Sequence, residues 1–261
     1  MALSDRSARW PWRDGRPPHL PLSGEVPRAF LLPGDPARVD MAGEVLDGFR
    51  IIGQNREFRA GMGSFQSVPV GVCSTGIGGA SSEIAAVELA ALGVRLLIRT
   101  GGMGALAEDL GLGDYLSVEA AITNSAVARF YAPGQAEVLA DPVTAEAIDR
   151  ARHERSLSGR KGRVATADGY YRAQGRPDHE DGAAAPGLLD RLAARGADGV
   201  EMECEVLLAV AAARGIRAGA ILAVHGHRRS DGWLEDYEET QRNLLRVGAL
   251  AASSLLRTRS V

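Results

Sequence analysis

The chain has 261 residues, of which 30 are Lys or Arg and 33 are Asp or Glu, so its formal net charge at pH 7 is −3. A chain this close to neutral has no global field that would attract nucleic acid or a membrane surface, and we expect neither as a partner. Hydrophobic residues make up 45% and charged residues 24%. This composition excludes a disordered chain and is typical of a globular protein that recognises a small molecule through a few placed residues.

Several other classes of protein are excluded by what the sequence lacks. No apolar run reaches the roughly 20 residues of a membrane span, and the first residues lack the apolar core of a secretion signal, so we expect a soluble, cytoplasmic protein. Cys73 and Cys204 form no disulfide framework and have no metal-ligand spacing. Because Lys161 is the only lysine, a Walker-type phosphate loop is excluded, and bound phosphate would have to contact arginine.

Along the chain, residues 1–27 are rich in Pro, Arg and Trp and predict an irregular N-terminal arm, whereas residues 28–261 predict a single domain. Short apolar runs in this domain alternate with segments of helical periodicity. The predicted strands are 28–32, 49–52, 56–61, 67–74, 94–99, 115–122, 163–166, 199–202 and 217–224. The predicted helices are 36–46, 80–92, 142–155, 187–195, 203–214 and 235–257. Such alternation favours a mostly parallel sheet covered on both faces, with a polar loop or lid over 174–187.

Three glycine-rich segments directly follow apolar strands, at 33–36, 74–79 and 100–104. We predict all three as turns at the carboxyl ends of strands, where ligands bind in α/β sheets. Glycine lets backbone N–H groups approach an anion, and the helices after the first two turns add their positive amino ends. Simple chain reversal is the alternative for each turn alone. Their coincidence favours an anion site.

Two arginines belong to these turns. Arg38 lies one turn into its helix, and Arg99 ends a strand as apolar as Leu96-Leu97-Ile98. A buried guanidinium requires a partner, and its planar fork suits phosphate. The alternatives are a solvated helix face for Arg38 and an internal salt bridge for Arg99.

A pair of acids lies where the strand at 199–202 meets the next helix. Alternation in an extended segment turns Glu201 and Glu203 the same way. Ionised carboxylates only accept hydrogen bonds, so the pair would complement the hydroxyls of a ribose. The alternative is that the helix dipole stabilises any acid in a first helical turn, with no ligand involved.

The segments Pro33-Gly34-Asp35-Pro36-Ala37-Arg38, Cys73-Ser74-Thr75-Gly76-Ile77-Gly78-Gly79 and Val200-Glu201-Met202-Glu203 resemble the signatures of the nucleoside phosphorylase superfamily, specifically its uridine phosphorylase branch. The similarity extends from about His19 to the last helix. It implies a three-layer α/β/α sandwich around a central mixed sheet, assembled as a homo-hexamer (a trimer of dimers) in which neighbours complete each site. It also implies phosphorolysis of a nucleoside, with phosphate as co-substrate and no required cofactor.

The resemblance implies roles for individual residues. Positions that match phosphate contacts are Gly34, Arg38, Arg56, Arg99 and Gly102, with Arg56 donated by the dimer partner. Positions that match ribose contacts are His19, Glu201, Met202 and Glu203, with His19 reaching a neighbour's 5′-hydroxyl. Glu57, Ile77 and Ser81 match positions that hold a structural monovalent cation, usually potassium, on the dimer axis.

Residues 168–176 resemble the loop that reads a pyrimidine. Tyr170 would stack on the base, and Gln174 and Arg176 would address the uracil edge, because an amide both donates and accepts while arginine donates to carbonyl oxygens. His225, Gly226 and Arg228 match further positions around the base. We expect Arg99, Arg176 and Glu203 to carry catalysis, with Arg176 stabilising charge on the departing base.

The sequence departs from the family pattern at Gly102, where the family usually has a hydroxyl residue, and at His225 and Gly226, where it has apolar ones. The changes at His225 and Gly226 suggest a modified uridine as substrate, substituted on the base or at the 5′ carbon. Gly102 removes a phosphate contact, so a hydrolase that uses water and a nucleoside-binding protein without turnover stay open, and a purine phosphorylase is a further alternative. A metal held by His225 and His227 with Asp231 is a further, weaker alternative.

Overall fold

A computed structural model of the chain describes residues 10–257. Residues 1–9 of the predicted arm lie outside the described part. Residues 10–27 contain no helix, and one isolated β-bridge joins Arg13 to Arg16. The end of this segment packs onto the domain, because Leu20 and Leu22 belong to the buried core.

One mixed sheet forms the centre of the described part of the chain. Its strands are β1 (Ala29–Leu32), β2 (Asp47–Asn55), β3 (Phe58–Phe65), β4 (Val68–Cys73), β5 (Leu96–Ala105), β6 (Tyr115–Ile122), β7 (Glu137–Leu139), β8 (Gly159–Thr166), β9 (Gly199–Glu201), β10 (Arg217–His227) and β11 (Gly232–Trp233). The spatial order is β11-β10-β6-β8-β9-β5-β1-β4-β3-β2, with β7 beside β6. Because β10 also pairs with β5, the strands β5, β10, β6, β8 and β9 close into a ring.

Six helices in residues 10–257 cover this sheet. They are α1 (Ala37–Met41), α2 (Gly79–Ala91), α3 (Pro142–Glu154), α4 (Gly187–Ala194), α5 (Cys204–Ala213) and α6 (Glu238–Arg257). Short 3₁₀ turns at Ala42–Glu44, Ala128–Phe130 and Arg172–Gln174 complete the helical structure.

The burial of β1 explains why the fold has three layers. Its side chains alternate between the two faces of the sheet, as strand geometry requires. Phe30 and Leu32 join the core cluster that includes residues of α2 and α5, whereas Ala29 and Leu31 join the cluster that includes residues of α3 and α6. A strand buried on both faces needs helices on both sides, so the predicted α/β/α sandwich with a mixed sheet is confirmed.

Some predicted elements have different bounds in the structure. The helix predicted over 36–46 is shorter, because α1 ends at Met41 and a 3₁₀ turn follows. The turn predicted at 100–104 is wrong: β5 continues to Ala105 and pairs with β10 through Gly101 and Gly102. Glycine there serves close packing, since a Cβ on Gly101 would lie 2.8 Å from Arg99 Nη2. Sequence patterns missed the short strands β7 and β11 altogether.

A buried ion pair joins α3 to the sheet. The Arg152 guanidinium, 3% exposed, donates to Asp149 Oδ1 from Nε at 3.1 Å and Nη2 at 2.9 Å. Ser117 on β6 donates to the same oxygen at 3.0 Å. Asp149→Ala leaves the buried Arg152 cation without its acidic partner. We therefore expect the free energy of unfolding, measured in urea, to fall by about 3 kcal/mol or more.

Glu146→Ala is the matched control for that measurement. Glu146 is also an acid of α3 paired with a base, Lys161 Nζ at 2.6 Å, but this pair is exposed. Exposed pairs contribute about 0–1 kcal/mol. Equal losses in the two variants would contradict a structural role for the buried pair.

Candidate active site

A cavity of about 760 Å³ opens where the carboxyl ends of β1, β5 and β10 meet. Its volume lies in the range of small-molecule sites. It brings together most of the residues predicted from sequence: Gly34, Arg38, Glu57, Ile77, Arg99, Gly102, Tyr170, Gln174, Arg176, Glu201, Met202, Glu203, His225 and Gly226. Residues separated by almost 200 positions in the chain therefore share one cavity.

Arg99 lies at the floor of this cavity and is 5% exposed. Its Nη2 donates to Glu203 Oε2, and its Nε lies 3.5 Å from Glu201 Oε2. Burial acts to lower the pKa of Arg99, but the Glu203 and Glu201 carboxylates outweigh it and raise the pKa. The internal salt bridge that the sequence left open for Arg99 is thus present.

Glu201 has a structural task in addition to its place in the cavity. Its Oε2 accepts hydrogen bonds from the backbone N–H groups of Glu203 at 2.8 Å and Cys204 at 2.9 Å. Its Oε1 accepts from Thr166 Oγ1 on β8. The carboxylate therefore satisfies amide donors at the beginning of α5, as an acid at a helix N-terminus does.

Each carboxylate oxygen of Glu203 accepts one hydrogen bond. Oε2 accepts from Arg99, and Oε1 accepts from the Gly78 amide at 2.6 Å. Burial raises the pKa of Glu203, an effect that Arg99 opposes and Glu201 reinforces. Since a carboxylate oxygen has two lone pairs, each oxygen keeps one free acceptor site.

Arg38 differs from Arg99 because it lacks an acidic partner. Its Nη1 donates to the Thr100 carbonyl at 3.3 Å, its Nε is buried without a hydrogen bond, and it forms no ion pair with any residue in 10–257. Burial and repulsion by Arg99 lower the pKa of Arg38. A second positive charge held beside Arg99 with a free buried N–H is the arrangement of an anion site.

Gln174 organises the other end of the cavity. It is 4% exposed, and its Oε1 accepts from Arg176 Nη1 at 3.3 Å and Arg228 Nη1 at 3.4 Å. Arg228 Nη2 also donates to the Gln174 carbonyl at 3.0 Å. Burial, then the neighbouring Arg176, lower the pKa of Arg228. With its oxygen occupied, the Gln174 side chain offers its NH₂ group to a ligand.

Aromatic rings flank Arg176 on this side of the cavity. Its guanidinium carbon lies 4.3 Å from the centre of the Tyr170 ring and 5.4 Å from that of Trp233. Tyr170, which the sequence predicts to stack on a base, stacks on this arginine in the structure. Trp233 lines the cavity and was missed, although a tryptophan in the polar segment after Asp231-Gly232 is a signal that could have found it.

His225 lies closer to the arginine pair than its predicted base-contact role suggests. An ideal Cβ on Gly102 would lie 2.4 Å from His225 Nδ1. The His225 ring also packs against Tyr237, with the two ring centres 5.2 Å apart. Burial and the charge of Arg38 lower the pKa of His225 to about 4, so its ring is neutral near pH 7.

Four predicted site residues do not line the cavity. His19 Nδ1 pairs with Glu88 Oε1 at 2.7 Å. Arg56 is exposed at the β2–β3 turn with φ +54°. Ser81 Oγ donates to the Ile77 and Gly78 carbonyls at 3.3 Å. Arg228 lies behind the cavity wall: it donates to Gln174, and its Cγ would lie 3.0 Å from a Cβ on the lining residue Gly104.

The structure bears on two metal sites considered from the sequence. In the part of the chain that the structure describes, no three His, Cys, Asp or Glu side chains gather as a metal site, so the alternative at His225, His227 and Asp231 is wrong. His227 Nδ1 accepts from the Ser230 amide at 3.3 Å instead.

The residues predicted to hold potassium lie next to one another, because a Cβ on Gly76 would lie 2.6 Å from Glu57 Cγ and 3.2 Å from Ser81 Oγ. Carboxylate, hydroxyl and carbonyl oxygens are suitable ligands for a hard cation.

Comparison with known proteins establishes the family. Residues 28–257 match the phosphorylase superfamily, and the chain belongs to this family. It is 35% identical to the uridine phosphorylase of Thermococcus kodakarensis over 207 residues, which cover 78% of this chain and 75% of that protein. It is 31% identical to the uridine phosphorylase of Escherichia coli K12 over 231 residues, which cover 87% and 91%.

A solved structure agrees with this assignment. The purine nucleoside phosphorylase from Toxoplasma gondii, in complex with immucillin-H, superposes with a TM-score of 0.83 at 26% identity and covers 95% of this chain and 99% of its own. Within residues 10–257, no helix combines the length and apolarity needed to cross a membrane.

The lowered pKa of His225 has a consequence for stability. Between its unfolded value of 6.5 and its folded value of about 4, the unfolded chain binds a proton that the folded chain does not. The free energy of unfolding therefore falls as the pH decreases through this range. We expect the stability of the wild-type protein relative to His225→Gln to decrease between about pH 7.5 and pH 4.5, measured by urea unfolding at both pH values.

Subtracting the unfolding free energy of His225→Gln from that of the wild type cancels the contributions of the other titrating groups. The buried acids Glu203 and Glu205 have raised pKa values and would act in the opposite direction, but both chains contain them. Parallel pH dependence of the two proteins would show that His225 titrates normally.

Proposed function

We propose that this protein catalyses the phosphorolysis of a pyrimidine nucleoside, uridine or a modified uridine, to the free base and ribose 1-phosphate. One observation carries the proposal: a single cavity has an arginine pair with a free buried N–H at one end and a glutamine with two arginines at the other. The relatives named uridine phosphorylase support this reading of the cavity.

At the first end, Arg38 and Arg99 would hold inorganic phosphate, with the Gly34 backbone in the cavity wall. The two guanidiniums repel each other when nothing lies between them. A phosphate dianion removes that repulsion and gives Arg38 Nε an acceptor. Charge-assisted hydrogen bonds of this kind contribute on the order of 1.5–3 kcal/mol each.

The ribose would lie between the two ends, beside Met202 and Glu203. Glu203 keeps one free acceptor site on each oxygen, which suits the two neighbouring hydroxyls of a ribose. Glu201 has already accepted three hydrogen bonds, so we assign Glu203 the larger share of ribose binding. Its catalytic part is to hold the sugar so that its anomeric carbon faces the phosphate.

In the reaction, a phosphate oxygen forms a bond to the anomeric carbon while the bond from that carbon to the base nitrogen breaks. The bonding electron pair leaves with the base, which becomes anionic and then takes a proton from water. Arg176 and the Gln174 NH₂ group would donate to the uracil oxygens and stabilise that charge as it develops. The cation of Arg176 is held in place by Tyr170 and Trp233.

We further propose that the active protein is a homo-oligomer, a hexamer built from three dimers. His19 and Arg56 do not line their own cavity, which is consistent with donation to a neighbour's site. Ile77, an apolar residue at the cavity, is 80% exposed, as expected for a residue covered by a partner. Glu57, Ile77 and Ser81 would share a structural potassium ion there. Cytoplasmic location and a role in pyrimidine salvage stay predictions.

The activity can be tested with a panel of nucleosides assayed by ultraviolet absorbance, with and without phosphate. The panel includes uridine, base-modified and 5′-modified uridines, 2′-deoxyuridine, inosine and guanosine. We expect release of uracil-type bases only when phosphate is present. Release without phosphate would indicate a hydrolase, release of purines alone would indicate a purine phosphorylase, and calorimetric binding without release would indicate a binding protein.

The base assignment can be tested separately. Arg176→Ala should lower kcat/KM for uridine by at least about tenfold, because a lost contact to a charged group costs on the order of 1.5–3 kcal/mol. Arg172→Ala is the matched control on the same loop, since Arg172 is exposed and pairs with Asp178. If both variants retain wild-type kcat/KM, Arg176 does not contact the base.

A further inference from the structure

His225 fills the space that a side chain at position 102 would occupy. An ideal Cβ on Gly102 would lie 2.4 Å from His225 Nδ1 and 2.7 Å from its Cε1. Contacts this short are sterically forbidden, so the imidazole at 225 can hold this position only because residue 102 is glycine. The pair connects β5, three residues beyond Arg99, with the paired strand β10.

The two ring nitrogens of His225 have different surroundings. Nε2 is buried and has no hydrogen-bond partner in residues 10–257. Nδ1 also forms no hydrogen bond with the described residues, but it is not among the buried atoms, and His225 lines the cavity. Nδ1 is therefore the nitrogen that a ligand in the cavity can reach.

This difference determines where the single proton of the neutral ring lies. A buried N–H without an acceptor is rarer and less favourable than a buried acceptor without a donor. The proton therefore belongs on Nδ1, where a ligand can accept from it, and Nε2 stays unprotonated. The neutral state itself follows from burial and the nearby Arg38, which lower the pKa of His225 to about 4.

The ligand that Nδ1–H would meet is defined by its neighbours. Gly102 and His225 line the same cavity as Arg38 and Arg99, and His225 is close enough to Arg38 for that charge to act on it. A donor placed beside two guanidiniums suits a third oxygen of a tetrahedral oxyanion. The ring also packs on Tyr237, which limits its rotation.

We propose that His225 is a phosphate-binding residue of this protein, donating a hydrogen bond from Nδ1 to an oxygen of inorganic phosphate. It supplies from β10 a contact that Gly102, without a side chain, does not make from β5. This inference rests on the proposed function, because it assigns a further contact to the same phosphate.

The test is the dissociation constant of inorganic phosphate, measured by calorimetry without nucleoside, for the wild type and three variants. His225→Ala removes the donor and should weaken binding about tenfold. His225→Asn places an amide N–H near the position of Nδ1 and should bind phosphate within about twofold of the wild type. His225→Gln places its amide near Nε2 and should be as weak as His225→Ala.

A second pair of variants tests the steric link between positions 102 and 225. Gly102→Ser alone should weaken phosphate binding, because its Cβ meets the imidazole. In the His225→Ala background the same serine has room, and its hydroxyl should recover at least about threefold of the lost affinity. Urea unfolding of each variant shows whether the protein stays folded.

Equal phosphate affinity in the wild type and all three His225 variants would overturn this inference while leaving the proposed function intact. Retention by His225→Gln with loss in His225→Asn would also overturn it, because the proton would then be on Nε2. Absence of phosphate binding in the wild type would overturn both proposals. Base release that fails despite the expected affinities would count against the proposed function alone.

Discussion

The structure of the site depends on one buried cation. Arg99 ends the apolar part of β5, where solvent cannot hydrate its guanidinium, so the chain must provide acids around it. Glu203 and Glu201 do so from the junction of β9 and α5. The same two acids accept N–H groups of Gly78 and of the first turn of α5. The need to neutralise Arg99 thus connects the central strand β5, the turn at Gly78 and the beginning of α5.

Each end of the cavity has two arginines whose positive charge is not fully neutralised, but the groups that accept their hydrogen bonds differ. At one end an arginine pair is only partly neutralised, because the acids pair with Arg99 and leave Arg38 without one. At the other end Arg176 and Arg228 share a neutral acceptor, the Gln174 side-chain oxygen. Full neutralisation would leave no attraction for an incoming anion. Partial neutralisation keeps the arginines ordered and retains positive charge in the cavity, as the proposed binding of phosphate and stabilisation of the departing base require.

The helices and apolar strands were readily predicted, since their periodicity reflects burial against a sheet. The bounds of α3, α5 and α6 differ from prediction by a few residues. The prediction was wrong at a glycine-rich segment, because glycine is common both in turns and in closely packed strands. Residues 100–104 have the composition of a turn, but they continue β5, and each of the three glycines makes room for a side chain: Arg99 over Gly101, His225 over Gly102 and Arg228 over Gly104. No local pattern shows that the side chains of His225 and Arg228, more than 120 positions away, lie above these glycines.

Local periodicity and motifs of adjacent residues were enough to predict the layered α/β architecture, the family and the residue types at the strand ends. How those residues share their hydrogen bonds follows from the fold alone. Arg99 has acidic partners while Arg38 has none within residues 10–257, Glu201 accepts from the first amides of α5, and Trp233 joins the cavity. These outcomes depend on distances between segments far apart in the chain. Burial makes a hydrogen-bonding or charged partner necessary for each polar group, and the folded chain determines which partner is near enough.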